Sequence, residues 1–457
     1  MTRLVQPYGA HCVEAAMTHS QHTATDAPVE GPDSRPPLEI ALLTWEYPPI
    51  PSARGRTACE VAHALAGLGA NVRVFTMDRD DVVSSDDERI EVIGCAGRVT
   101  GLRRLMKQVP GMDIVAYAAA FRERVAEEHE RHPFDLIEAT SSGAPAAMLM
   151  DCGLPVVIRT STPDEMNASL MLKKRRSGLS ETIVRGLEAR CTRRAAAVIS
   201  NSRSHAAFVK QHYDLRPGNI HMVTPMSVDP EIAKTGRTLA FPPADAILRL
   251  AYITDGTERK SITETLLAFD ILVGTAIEDE APLPELHVVG LDEGHLAFLA
   301  RGLHLSEQTF GQILDFGRLT DPSLAQVLQR CQGVLAPSHY QSTGSVYREA
   351  AAFGRPLIAS MSDPFAADFV QRHECGTLAR SCDPSAIAEA VIDLFSDRNR
   401  VLELRRNGIE AAEKWTREEL GVRTFQIYRR AMNLAPISIS AVADEVISER
   451  PRYISHI

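Results

Sequence analysis

The run LEIALLT, Leu38 to Thr44, is short and almost wholly apolar, the pattern of a parallel strand covered on both faces. The turn-rich EYPPIPSARG follows it. TACEVAHALAGLGA then sets Val61, Leu65 and Leu68 at helical spacing, with Gly69 as a stop, and NVRVFT is the next strand. Strand, turn, helix, glycine, strand is a βαβ unit, whose strands are parallel and whose crossover is right-handed.

The same grammar recurs along the chain. FDLIEA, a helix predicted over Ser142 to Met150, and PVVIRT form another unit, and AAAVISNS and HMVTPM read as further strands. A second series opens near residue 248 with LRLAYIT and runs through SITETLLAFDILV, LHVVG, ILDFG, SLAQVLQRC, GVLAPS, VYREAAAFG and PLIAS. Two successive series, separated near Asp229 to Pro243, predict an α/β chain of two doubly wound Rossmann-like domains facing a central cleft. The expected organisation is a disordered N-terminal arm over 1–37, an N-terminal domain over 38–235 and a C-terminal domain over 236–415. An amphipathic helix over 416–432, packing back toward the N-terminal domain, and a tail over 433–457 complete it. Ligands of such sheets bind beyond the carboxyl ends of the strands, so function is expected in the loops that follow them.

The 457 residues, 44% hydrophobic, suffice for two or three cores without disulfide or metal staples. A balance of 49 Lys+Arg against 59 Asp+Glu, a formal charge of −10, argues against a nucleic-acid partner. No window reaches the roughly 18 to 20 continuous apolar residues of a membrane-spanning helix. His11 and Glu14 interrupt the place where a secretion signal needs an apolar core. The expectation is a cytoplasmic chain with no transmembrane segment. Its eight cysteines include no CxxC and read as reduced thiols, with a zinc site from Cys375, Cys382 and a nearby His as the alternative.

The most informative segment is APSHYQSTGSVYREAAAFGRPLIAS. A strand ends at Pro337-Ser338, and a loop runs to Thr343-Gly344. A helix starts near Ser345, where free N–H groups and the helix dipole favour a phosphate. Gly344 permits close backbone approach, and Glu349 lies in the early turns of that helix. Alone, Glu349 reads equally well as an acidic residue favourable to a helix N-terminus.

This segment resembles PSxxExFGxxxxEAxAxGxPVVAS of the GT-B glycosyltransferases of family 4. That retaining group includes bacterial mannosyltransferases and sucrose-type synthases. The likeness covers about residues 38 to 430: EYPPIPSARGRTACEVAHALAGLGANVRVFT is similar to the family's EYPPxxGGxxxxxxxLAxxLxxxGHxVxVxT, and RGLEARCTRRAAAVISNSRS, LHVVGLDEG and ILDFGRLTDPSLAQVLQRCQGVLAPS follow in the family's order. The resemblance implies that Glu349 holds the donor's ribose hydroxyls and that amides beside Gly344 and Ser345 cradle phosphate. The first acid of the family's E-x7-E pair is Gln341 here, expected near the sugar. Lys260 matches the lysine of the family's GRxxxxKG-like diphosphate clamp. The clamp arginine is replaced by Asp255 and the following glycine by Ser261, leaving the neighbouring Arg259 as a substitute charge. The family's Gly-Gly is Ser52-Ala53, with Arg56 as another candidate cation, and its histidine near the reacting sugar is Ser161, beside Arg159 and Thr160. The basic cluster Lys173 to Arg176 reads as a solvated loop.

The implied activity is a metal-independent, retaining hexosyl transfer from a nucleotide-diphosphate sugar to an unidentified small-molecule, glycan or lipid-linked acceptor. It uses no cofactor beyond that co-substrate. The expected catalytic residues are Gln341 and Ser161. Lys260, Arg259, Gly344, Ser345, Glu349, Ser52, Ala53 and Arg56 are the expected donor contacts. Acceptor contacts are expected in the loops Ala96 to Pro110 and Met166 to Leu179. The departures leave two alternatives open: a degenerate GT-B protein serving as a non-catalytic partner, and a specialised-metabolite enzyme with an unusual donor or acceptor.

Overall fold

Short apolar runs become buried strands wherever helices cover both sheet faces, and both halves of the chain obey this rule. The computed structural model describes residues 37–50, 52–85, 87–163, 178–319 and 321–433. All but residue 37 of the expected arm over 1–37, all but residue 433 of the tail over 433–457, the cluster Lys173 to Arg176 and most of the 166–179 loop lie outside the described residues.

Eight strands form the first sheet: β1 (Glu39–Thr44), β2 (Asn71–Thr76), β3 (Val82–Ser84), β4 (Ile90–Gly94), β5 (Leu136–Thr140), β6 (Val156–Arg159), β7 (Ala197–Ser200) and β8 (His221–Val223). Their order is β3-β4-β2-β1-β5-β6-β7-β8, with β3 antiparallel to β4 and the other pairs parallel. The second sheet contains β9 (Arg249–Ile253), β10 (Glu285–Val289), β11 (Ile313–Asp315), β12 (Gly333–Ala336), β13 (Leu357–Ser360) and β14 (Gly376–Ala379). It is parallel throughout, in the order β11-β10-β9-β12-β13-β14. In each sheet the order reverses beside the first strand, between β1 and β5 and between β9 and β12. Loops leaving those strands diverge there and open a crevice. Ile40, Leu43, Leu250 and Leu335 are at most 1% exposed in the centres of the sheets, each side chain stabilising the fold by roughly 2 kcal/mol.

One predicted helix is absent. Residues 141–152 form successive tight turns, with Ala144 N–H donating to Ser141 O, Ala147 to Ala144 O and Leu149 to Ala146 O. Gly143 and Ala144 take positive φ values of 68° and 46°. Pro145 supplies no N–H and disfavours helical backbone in the residue before it, so the stretch curls instead of winding. The indole of Trp45 fills the space beside Gly143 and donates to Ser142 O at 2.7 Å.

The helix Arg417–Ala431 lies against the helix Ala53–Ala66 of the first half. Arg417 bonds Glu60 Oε1 at 2.6 Å and Asp229 Oδ2 at 2.9 Å. Farther along, the Tyr428 hydroxyl donates to Glu138 Oε2, and the Arg159 guanidinium bonds Thr424 Oγ1 at 3.2 Å. No described helix is long and apolar enough to cross a membrane.

Two positions give opposite glycine predictions. Gly421 costs its helix about 1 kcal/mol of propensity relative to alanine. A Cβ there would lie 2.5 Å from the Ala64 carbonyl oxygen, so close approach outweighs propensity. Gly421→Ala is expected to destabilise by about 1–3 kcal/mol in urea unfolding. Ser261, at the start of the helix Ile262–Glu278, has φ 57° and ψ 47° and is fully buried, and its hydroxyl has no hydrogen-bond partner. Glycine adopts that backbone without strain, so Ser261→Gly is expected to stabilise by about 0.5–1 kcal/mol in the same assay.

Candidate functional site

The two reversal points face one cavity of about 890 Å³. Loops after β1, β5 and β6 supply one wall, and loops after β9 and β12 the other. Of the residues singled out in the sequence, Ser52, Ala53, Arg56, Ser161, Arg259, Lys260, Gln341, Ser345 and Glu349 line it.

On the first wall, Ser52 accepts from Gly55 N–H at 2.9 Å and so caps the helix Ala53–Ala66. That cap aims the first turn, with Arg56, across the cavity. Arg56 Nη1 meets Glu349 Oε1 at 3.2 Å, tying the first half of the chain to the second. Thr162 Oγ1 donates to Ser342 Oγ at 3.0 Å, and His205 Nδ1 bonds the Tyr340 hydroxyl, both across the same cleft. Burial holds His205 near 3, so its imidazole is neutral. Ser161 lies 3.4 Å from the hydroxyls of Thr140 and Ser141, in a hydroxyl-rich floor.

On the second wall, Lys260 ends a single 3-10 turn after β9. Burial lowers its ammonium to about 8, with Asp255 opposing that shift and Arg259 and Arg56 adding to it. Burial works against the charge on Asp255, yet Lys260 and Arg259 outweigh it and hold the carboxyl at about 2. Arg259 Nη2 bonds Asp255 Oδ2 at 3.2 Å and its Nη1 bonds Tyr340 O at 2.8 Å. Its guanidinium thus neutralises the acid that stands in the family's arginine place and pins the loop after β12. Arg159 is likewise engaged: it forks onto the buried Glu138 carboxylate at 2.6 and 3.2 Å. Of the three arginines in question, Arg56 alone reaches across to the opposite wall.

Gln341 is buried and donates to Ser338 Oγ at 3.0 Å. Glu349 keeps Oε2 buried and without a hydrogen-bond partner, an acceptor position left open beside Arg56. Gly344 departs from expectation, because it does not line the cavity. Its φ is 60°, and a Cβ there would lie 1.7 Å from the Phe365 ring. The glycine is therefore demanded by left-handed backbone and by Phe365 packing. Ser345, the first residue of the helix Ser345–Ala352, does face the cavity.

Sequence reasoning missed Asp363. Its carboxylate accepts from the Tyr347 hydroxyl at 2.7 Å and from Phe365 N–H at 3.1 Å. Burial raises it to about 6 against those bonds. The signal was available in Asp363-Pro364, an N-cap followed by proline at the first helical position.

Known proteins share this architecture. Residues 249–415 match the family described as glycosyl transferases group 1, and residues 55–231 match glycosyltransferase family 4. D-inositol 3-phosphate glycosyltransferase of Segniliparus rotundus is 25% identical over 88% of this chain and 90% of its own length. The enzyme of the same description from Stackebrandtia nassauensis is 29% identical, over 52% of this chain and 56% of its own, so that match spans about half of each chain. Sucrose-phosphate synthase from Thermosynechococcus elongatus superposes with a TM-score of 0.68 at 19% identity, over 87% of this chain and 99% of that one. The Anabaena protein HepE, solved with UDP and glucose, superposes with a TM-score of 0.58 at 16% identity, over 85% and 98% of the two chains. With paired sheets of this strand order and family matches on both halves, the chain belongs to the GT-B glycosyltransferases, of the family 4 type.

Proposed function

We propose that the cavity binds a nucleotide-diphosphate sugar and transfers the sugar, with retention of configuration, to a hydroxylated acceptor held by the loops of the first sheet. The observation that carries this reading is the meeting of Lys260, Arg56 and Glu349 where the reversal points of both sheets face each other. Lys260 and Arg56 bind the diphosphate, assisted by the backbone N–H groups at Ser345. Glu349 accepts from the ribose hydroxyls through its open oxygen. Ser52 and Ala53 bring the first-half backbone close to the phosphates. Gln341 and Ser161 lie against the transferred sugar. Arg259 holds Asp255 and the donor loop in place.

Such a site needs no protein nucleophile. The bond from the anomeric carbon to the diphosphate oxygen breaks, and the acceptor oxygen bonds that carbon on the face just vacated. The acceptor's proton passes to the departing phosphate oxygen. The protein contributes positioning and charge, and each cation at the diphosphate is worth on the order of a few kcal/mol in the transition state. We place this chemistry in the cytoplasm, without a metal or further cofactor. The curated relatives act, by name, on an inositol phosphate, so a phosphorylated polyol is the first acceptor to try.

Isothermal titration with a panel of nucleoside diphosphates and their sugars, followed by transfer assays, tests the reading. Tight binding of one nucleotide sugar and product formation with an acceptor are expected. Nucleotide binding without turnover on any acceptor would instead make the chain a non-catalytic partner.

The lysine adds a pH signature. Below about 8 Lys260 is charged in the free protein, and above it the charge is lost. Nucleoside diphosphate affinity is therefore expected to fall as pH rises through 8, by up to about tenfold per unit. Lys260→Arg should flatten the profile and Lys260→Ala should weaken binding at pH 7. Without ligand the sign for stability is opposite. The folded value lies below the ordinary 10.5, so the unfolded chain binds more protons between 8 and 10.5, and Lys260's contribution to stability grows as pH rises through that window.

A further inference from the structure

A second cavity, of about 570 Å³, lies where the helix Pro364–His373, the residues that open the helix Arg417–Ala431 and the end of β7 meet. Its most unusual wall residue is Arg348. This side chain is 3% exposed, and among the described residues no carboxylate lies within ion-pair distance of it. It donates to Thr343 O and its guanidinium lies over the Phe365 ring at 5.6 Å. Burial pulls it down to about 10, and the acid that offsets this, Glu349, faces the other cavity and is committed to Arg56. A buried cation without a counter-charge is costly and is retained where an anion complements it.

Independent features mark the same cavity as cationic. Lys414 lines it with no acidic partner among the described residues, and Arg372 and Arg423 line it too, paired with Asp368 at 3.1 Å and Glu419 at 2.6 Å. His373, in the same wall, is held at about 4, first by burial and then by Arg372, Arg348 and Lys414. Asn201 lines both cavities, and its buried Oδ1 has no hydrogen-bond partner. The remaining wall mixes the Trp415 indole with hydroxyls such as that of Thr416, a combination suited to a sugar ring.

We infer that this second cavity is a binding site for a small phosphorylated sugar, whose phosphate pairs with Arg348 and Lys414 and whose ring lies against Trp415. The site is distinct from the donor cavity and does not depend on the donor reading. It joins both halves of the chain, and Arg348 and Glu349 are consecutive in one helix. A ligand there therefore bears on the helix that presents Glu349 to the donor.

Thermal unfolding of the full chain tests this, with inorganic phosphate and glucose 6-phosphate as probes and potassium chloride at matched ionic strength as control. Both probes are expected to raise Tm saturably, glucose 6-phosphate half-maximally at about tenfold lower concentration. The rise should persist in Lys260→Ala, shift to higher concentration in Lys414→Ala and vanish in Arg348→Met. If Arg348→Met fails to fold, Lys414→Ala with Arg372→Ala carries the test. A rise lost in Lys260→Ala but kept in Lys414→Ala would place the anion in the donor cavity and overturn the inference. No rise with either probe, or an equal rise with chloride, would overturn it as well.

Discussion

The buried ion pair between Glu138 and Arg159 governs how the two halves of this molecule are held. Glu138, in the middle of β5, is 1% exposed and Arg159, the last residue of β6, 5%, and both line the first cavity. Desolvating two charges is offset only when geometry is close and the remaining polar atoms find partners. The Tyr428 hydroxyl and Thr424, both on the helix Arg417–Ala431, supply two such partners, while Arg159 Nη1 stays buried without one. The chain must therefore build its second sheet and then return to the first to complete the first sheet's buried polar network. Removing one member of such a network costs about 3–5 kcal/mol. The halves are joined by the segment near residue 229 and again by this return.

Across that cleft the charge arrangement has been rebuilt. Asp255, which the sequence resemblance sets in the place of a clamp arginine, is paired with Arg259. On the proposed reading the second cation comes from the opposite wall, in Arg56, which meets Glu349 at 3.2 Å. A cation supplied across the cleft acts on a donor only when the cleft is closed. Binding and closure then become one event, whereas a clamp arginine beside Lys260 would act in the open state too. The formal charge of −10 says nothing of this, because the potential in the site is set by the charged side chains that line its two walls.

The two parallel sheets were legible because strands covered on both faces must read as apolar runs, and LEIALLT or GVLAPS can hardly be anything else. The expectation that function lies in the loops after the strands followed from the doubly wound pattern, and such loops line the cavity. What stayed hidden depends on contacts remote in sequence. The helix expected over Ser142 to Met150 fails at Gly143 and Pro145, where apolar spacing was read but backbone permission was not. Gly344 was identified as special, yet its reason, the Phe365 ring, lies twenty-one residues further along. Nothing local to Arg159 revealed that Glu138 and Thr424 would claim it, and His205 and Tyr340 meet only because the two halves face each other.

The helix Ser345–Ala352 shows why adjacent residues in this fold can serve separate ends. Successive side chains on a helix diverge by about 100°, so Glu349 addresses the donor cavity while Arg348 addresses the second one. The helix is fixed at its start by Gly344, which sits against Phe365, and Phe365 itself lines the second cavity. Tyr347, in the same helix, is anchored to Asp363, which also accepts from Phe365 N–H. A rigid element so braced does not adjust one face independently of the other. Arg348 and Glu349 are thus carried toward separate cavities by a single packed helix two turns long.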